Sequence, residues 1–174
     1  MKVAVAGVGA FGRKHLDGIQ KIDGVEAVAV TDAVQELAQR VAADYGIGTV
    51  ADSLDDIVAM PDVDAVILAT PTQMHAAQSI QCMDAGKHVE VEIPLADSLA
   101  DAQAVLAKQK ETGLVCQVGH TRRYNPSHQW LHSKITAGEL SIQQMDVQTY
   151  FFRRTNLNAE GEPRSWTDHL LWHH

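Results

Sequence analysis

Along residues 1–120, apolar runs of strand length alternate with longer segments whose apolar residues recur every three to four positions. That rhythm builds β-α-β units and therefore a parallel sheet. The strand candidates are 2–7, 25–31, a short one near 49–51, 64–70, 88–91 and 114–119. All are rich in Val, Ile and Ala with few charges, as strands covered on both faces are. Helices are predicted at 11–21, 33–44, 53–59, 73–85 and 98–112. Asp32, Ser53 with Asp56, and Ser98 with Asp101 supply start signals. Gly24, Gly46, Gly86 and Gly113 follow four of the helix ends, where a left-handed residue is favoured. Six such strands predict one doubly wound α/β sheet.

After Gly119 the texture changes. HTRRYNPSHQW is polar and aromatic, a helix is predicted to run to about 137, a turn falls at Ala137-Gly138, and MDVQTYFFRR at 145–154 reads as a strand. The chain ends in WTDHLLWHH, an apolar aromatic helix pattern with no stop signal. The expectation is a first domain over 1–120 and, over 121–174, the N-terminal part of an incomplete second domain, so that the chain reads as truncated. The alternative is a small domain whose closing histidines are a tag remnant. The uncovered 145–154 and 166–172 segments are expected to promote association.

The net charge of −8 conceals a division. Residues 1–120 carry 8 basic and 17 acidic side chains, whereas 121–174 carry 6 and 5, giving −9 and +1. An acidic body argues against nucleic acid, whose binders need a basic face. Arg122, Arg123, Arg153, Arg154 and Arg164 fall in the last third and suggest a small anionic ligand instead. No run reaches the length needed to span a bilayer, so no membrane is expected. MKVAVAGVGA runs directly into glycines and reads as a strand rather than a signal peptide. Cys82 and Cys116 suit buried free thiols in a reducing, cytoplasmic setting.

Gly7-Val8-Gly9-Ala10-Phe11-Gly12 follows the first strand and opens the first helix. There Gly7 allows a tight turn, Gly9 leaves room for a pyrophosphate, and Gly12 lets helix and strand pack closely. The helix N-terminus, through Ala10 and Phe11, supplies amides for the phosphate charge. Asp32 stands 20 residues past Gly12, where a carboxylate accepts bonds from an adenosine ribose. The alternatives are an ordinary turn and a helix cap. This pairing predicts a Rossmann-like dinucleotide domain, and the Asp32 carboxylate, repelling a 2′-phosphate, favours NAD over NADP. The fourth strand leads into Thr70-Pro71-Thr72 and His75, the fifth into Glu92-Ile93-Pro94. Both segments lie at carboxyl ends of strands, the ligand edge of an open parallel sheet. Each also has a structural alternative: a helix start at Pro71, a packed His75, a bend at Pro94. The spacings His128/His132 and His169/His173 lack the Glu or Cys of a familiar ligand set, so no metal is expected.

The combination of GVGAFG, ATPTQMH, AGKHVEVEIP and GHTRRYNP resembles the Gfo/Idh/MocA family of NAD(P)-dependent oxidoreductases, over all 174 residues. The resemblance implies a Rossmann domain followed by an α/β substrate-binding domain. Within the family, 119–172 is similar to a branch of semialdehyde dehydrogenases that oxidise the cyclic hemiacetal of a dicarboxylate. That branch implies a small anionic substrate, a homo-oligomer, as a dimer, when full length, and NADP, against the NAD that Asp32 favours. The wider family has Glu-Lys-Pro where this chain has Glu92-Ile93-Pro94, and Ile93 cannot replace the acid/base lysine. A histidine is then the natural proton acceptor. The family's Asp-x-x-x-His pattern puts His173 at its first position. His173 and Glu92 are accordingly expected at the catalytic centre, and His169, Arg122, Tyr124, Asn125, Arg153 and Arg154 on the substrate side. Because Arg153 and Arg154 adjoin on a strand, at most one faces the substrate. Another hydroxy or lactol substrate, or a dinucleotide-sensing regulator without turnover, stays open.

Overall fold

The computed structural model describes residues 1–148. The chain divides into two compact units, Met1–Gly119 and His120–His174. In the first, six parallel strands run β1 (Lys2–Ala6), β2 (Glu26–Thr31), β3 (Thr49–Val50), β4 (Ala65–Leu68), β5 (His88–Val91) and β6 (Cys116–Val118), in the spatial order β3-β2-β1-β4-β5-β6. Between them lie α1 (Ala10–Ile19), α2 (Gln35–Tyr45), α3 (Leu54–Ala59), α4 (Thr72–Asp84) and α5 (Leu99–Thr112). The strand order reverses between β1 and β4, and the carboxyl ends there flank the crevice where ligands of such sheets bind.

Period two explains why the strands read as continuous apolar runs. Val3 and Val5 join Val8, Leu16, Ile19, Val30 and Val41 in one core, while Ala4, Ala6, Val66 and Leu68 join Ile57, Cys82, Met83 and Val105 in the other. β5 breaks the symmetry. Val89 and Val91 enter the second core, but His88, Glu90 and Glu92 alternate with them on the opposite side. Burial keeps the Cys82 thiol protonated, its pKa pushed up to about 12.

Start signals at α3 and α5 operate as expected: Ser53 Oγ accepts from Asp56 N at 3.3 Å and Ser98 Oγ from Asp101 N at 3.1 Å. The second helix differs. It begins at Gln35 with Val34 at the N-cap and no side-chain cap, because Asp32 reaches back to the preceding turn. Lys87 is buried and lies under the turn after α3, where its Nζ donates to the carbonyls of Met60 at 2.6 Å and Val63 at 2.8 Å.

In the second unit, a 3₁₀ turn (Thr121–Tyr124) leads into α6 (Pro126–Thr136). Asn125 Oδ1 caps that helix by accepting from Ser127 N at 3.0 Å. Of the strand expected at 145–154, residues 145–148 form no strand, and the remainder lies outside the described residues.

Candidate functional site

The glycine turn is shaped by close approach. Gly7 has φ +84°, and a Cβ there would stand 2.5 Å from the Ala69 carbonyl oxygen and 2.9 Å from Thr70 N. Any side chain at position 7 would therefore push β1 and β4 apart. A Cβ on Gly12 would overlap the Gly7 carbonyl oxygen, so α1 packs directly on the turn. Gly9 is the reverse case: among the described residues, nothing lies within 4 Å of its Cβ position. The N-terminus of α1 has no side-chain cap and no acidic residue in its first turn. Its amides thus remain available to an anion. Ala10 and Phe11 are exposed beside it, and Lys14 Nζ sits 4.7 Å from the Phe11 ring centroid, adding positive charge.

Asp32 does more than the sequence suggested. Its Oδ2 accepts from Val8 N at 2.8 Å and its Oδ1 from Val34 N at 2.9 Å. One carboxylate thereby ties the glycine turn to the loop after β2. Each oxygen has a further lone pair for a ribose hydroxyl. Open space at Gly9, uncapped amides and a half-exposed carboxylate fit a nicotinamide dinucleotide.

At the end of β4, Thr70 Oγ1 donates to Gln78 Oε1 at 2.5 Å. Pro71 is the N-cap of α4 and is exposed, with Thr72 half-buried as the first helical residue. His75 is 1% exposed. Its Nδ1 faces the Pro94 carbonyl at 2.7 Å and its Nε2 the Thr70 carbonyl at 2.8 Å. Both ring nitrogens are thus engaged, and the ring ties the end of β4 to the loop after β5.

Two residues that sequence reasoning passed over surround Glu92. His15 on α1 donates from Nε2 to Glu92 Oε1 at 2.8 Å and lies 3.8 Å from Glu90 Oε2. Glu92 Oε2 also accepts from Ile93 N at 3.3 Å. The hydrogen bond to Glu92 raises the His15 pKa, against the effect of burial, and both carboxylate charges add to the rise. Burial pushes Glu92 upward, but the His15 hydrogen bond and charge outweigh it and hold the carboxyl below its usual range. Glu90 is pushed up to about 7 by burial, with the Glu92 charge adding and His15 opposing. The available signal was Val-Glu-Val-Glu: carboxylates two apart on a strand share a face.

In the second unit, Arg122, Tyr124 and Asn125 are exposed, and the Arg122 carbonyl accepts from His128 Nδ1 at 3.0 Å. Arg153, Arg154, His169 and His173 lie outside the described residues. Among the described residues, no three His, Cys, Asp or Glu side chains gather as metal ligands, and no helix is long and apolar enough to cross a membrane.

Residues 1–120 match the family model for the oxidoreductase family with an NAD-binding Rossmann fold (GFO_IDH_MocA), and residues 126–174 match that for the C-terminal part of bacterial oxidoreductases. The chain is 68% identical over all 174 residues to 4-carboxy-2-hydroxymuconate-6-semialdehyde dehydrogenase of Sphingobium sp., covering 55% of that protein. Similarity to scyllo-inositol 2-dehydrogenase (NAD(+)) of Bacillus subtilis is 36% over 141 residues, 80% of this chain and 41% of the relative. The chain therefore spans about half the length of these curated relatives. Among solved structures, scyllo-inositol dehydrogenase of Lactobacillus casei with bound NAD(H) and scyllo-inositol superposes with a TM-score of 0.76 at 26% identity, over 80% of this chain and 42% of that one.

Proposed function

The chain belongs to the Gfo/Idh/MocA oxidoreductase family, and from that membership we propose that it holds a nicotinamide dinucleotide on residues 1–120 and begins a substrate-binding domain over 121–174. The reaction proposed is oxidation of the cyclic hemiacetal of 4-carboxy-2-hydroxymuconate-6-semialdehyde to 2-pyrone-4,6-dicarboxylate, a step of the protocatechuate 4,5-cleavage pathway. The supporting observation is the 68% identity to a dehydrogenase of that name across the whole chain, against 36% over 141 residues for an inositol dehydrogenase.

Gly7, Gly9, Ala10, Phe11 and Gly12 would hold the pyrophosphate, and Asp32 the adenosine ribose. Asp32 makes NAD the proposed cofactor over NADP, because no carboxylate at that place welcomes a 2′-phosphate. Thr70, Pro71, Thr72 and Glu92 would border the nicotinamide end. When bound, the dinucleotide supplies a hydride acceptor. Loss of hydride from the hemiacetal carbon leaves a lactone carbonyl once the hydroxyl proton departs, and we assign that proton to His173. Arg122 and one of Arg153 and Arg154 would pair with the substrate carboxylates, with Tyr124, Asn125 and His169 beside them.

Absorbance at 340 nm, followed for the protein at the full length of its relatives, since the 174-residue chain alone is expected to turn over little, with the semialdehyde, with inositols, and with NAD or NADP, tests the reading. Reduction of NAD with the semialdehyde, at a kcat/KM above that for NADP and for inositols, is expected. Dinucleotide binding without turnover of any hydroxyl substrate would instead favour a sensor, the reading that Ile93 in place of a lysine supports.

A further inference from the structure

Glu90, Glu92 and His15 meet where the carboxyl end of β5 faces α1. The ring of His15 bonds Glu92 Oε1 at 2.8 Å and approaches Glu90 Oε2 at 3.8 Å. That Glu90 oxygen is buried and has no hydrogen-bond partner among the described residues. From the other side both carboxylates press on the backbone at the end of β6. A Cβ on Gly119 would stand 3.0 Å from Glu90 Oε1 and 3.4 Å from Glu92 Oε2, so the glycine makes room for the pair. Among the described residues, the titratable groups facing the pair are His15 from α1 and, toward Glu92, His75 from α4. β4 and β6 present Ile67 and Gln117 in register with Glu90. Two carboxylates and one imidazole in such a space cannot all hold their ordinary charge states independently.

We propose that His15 and Glu90 are positioning residues that, with Glu92, form a three-member proton-sharing unit, and that this unit discriminates the cationic ring of oxidised nicotinamide from the neutral reduced ring. The proposal rests on the dinucleotide reading above, which puts Glu92 at the nicotinamide end. In the protonated unit, His15 is cationic, Glu92 anionic and Glu90 neutral, and the charges cancel. Loss of the Glu90 proton leaves one net negative charge, which attracts the oxidised ring and is indifferent to the reduced one. Because Glu90 loses its proton at about pH 7, the change falls in the neutral range. Linkage requires the reciprocal effect: oxidised dinucleotide draws the Glu90 proton off at lower pH, and reduced dinucleotide does not.

The test uses the 174-residue chain, with NAD and NADH as probes and two readouts. Carbon-13 shifts of the glutamate carboxyls, assigned through Glu90→Gln, should show one group titrating near 7 and moving downward with NAD only. Affinities from calorimetry at pH 6 and pH 8 should show the NAD-over-NADH ratio rising with pH by a factor on the order of five. Glu90→Gln should flatten that rise, and His15→Gln, which retains a donor to Glu92 without the charge, should move the Glu90 midpoint upward while preserving affinity better than His15→Ala. A Glu90 midpoint in the ordinary carboxyl range, or an undiminished pH-dependent ratio in Glu90→Gln, would overturn the proton-sharing unit while leaving the dinucleotide site standing. Failure of both dinucleotides to bind at any pH would overturn the dinucleotide reading, and the proposed discrimination with it.

Discussion

Removal of the Asp32 carboxylate separates its two tasks. In Asp32→Ala, the amides of Val8 and Val34 both lose an acceptor, at 2.8 and 2.9 Å in the parent. Their fates differ with exposure. Val34 is 55% exposed, so water replaces the carboxylate there at little cost. Val8 is 0% exposed, and its stranded N–H bears a desolvation cost of about 1–3 kcal/mol. For a unit the size of Met1–Gly119, a loss of about 2 kcal/mol lowers Tm by roughly 6–10 °C. NAD affinity should drop by about tenfold or more, since a ribose partner and the anchor of the glycine turn go together. Asp32→Asn isolates the charge: with its amide oxygen on the buried Val8 N–H, Tm should fall by much less than in Asp32→Ala. The lost repulsion should narrow the gap between NADP and NAD. Differential scanning calorimetry with NADH and NADPH fluorescence titrations reads all three effects. If Asp32→Ala melts within a degree of the parent while losing NAD affinity, the carboxylate serves the ligand alone and the anchoring role is refuted.

Lys87→Met should cost about 2–4 kcal/mol, because it strands the Met60 and Val63 carbonyls that the buried ammonium now satisfies. Urea denaturation at matched m-values measures this, and an unchanged midpoint would contradict it. The unit around Glu92 also sets a pH window for stability. His15, raised above 6.5, stabilises below that value and loses its contribution as pH rises through the raised one. Glu92, held below 4.5, stabilises above that value and loses its contribution as pH falls. Glu90, raised from 4.5 to about 7, favours the folded state less and less across that interval, by at most about 3 kcal/mol. Tm should therefore peak near pH 4.5 and decline from there to about pH 7 as the buried Glu90 carboxyl is forced to ionise, with the loss of the His15 contribution adding to the decline above 6.5. Glu90→Gln should remove most of the decline, and a Tm that climbs from pH 6 to pH 8 would contradict the burial of that carboxyl.

What could be read directly from the chain is what repeats locally. Apolar strands buried on both faces declare themselves by composition, so all six candidates in 1–120 coincide with strands, and Ser53 and Ser98 mark helix starts within a residue. The glycine turn is similarly local, since Gly7 and Gly12 answer to contacts within the turn and with the adjacent strand end. What was not legible depends on which side chains meet across elements. Asp32 read as a ribose acceptor, with a helix cap as the alternative, yet its carboxylate reaches 24 residues back to Val8 N, a contact no pattern near position 32 encodes. His75 stands one turn into α4, where position alone could not tell a ligand from a tie between two loops. His15 and Glu92 are 77 residues apart and meet only because α1 crosses toward β5. Glu90, however, carried a usable sign. A carboxylate two residues before another on a largely buried strand must share its face and its desolvation, so that either a cation arriving from elsewhere in the fold or a proton on one of the pair is needed to keep both in place.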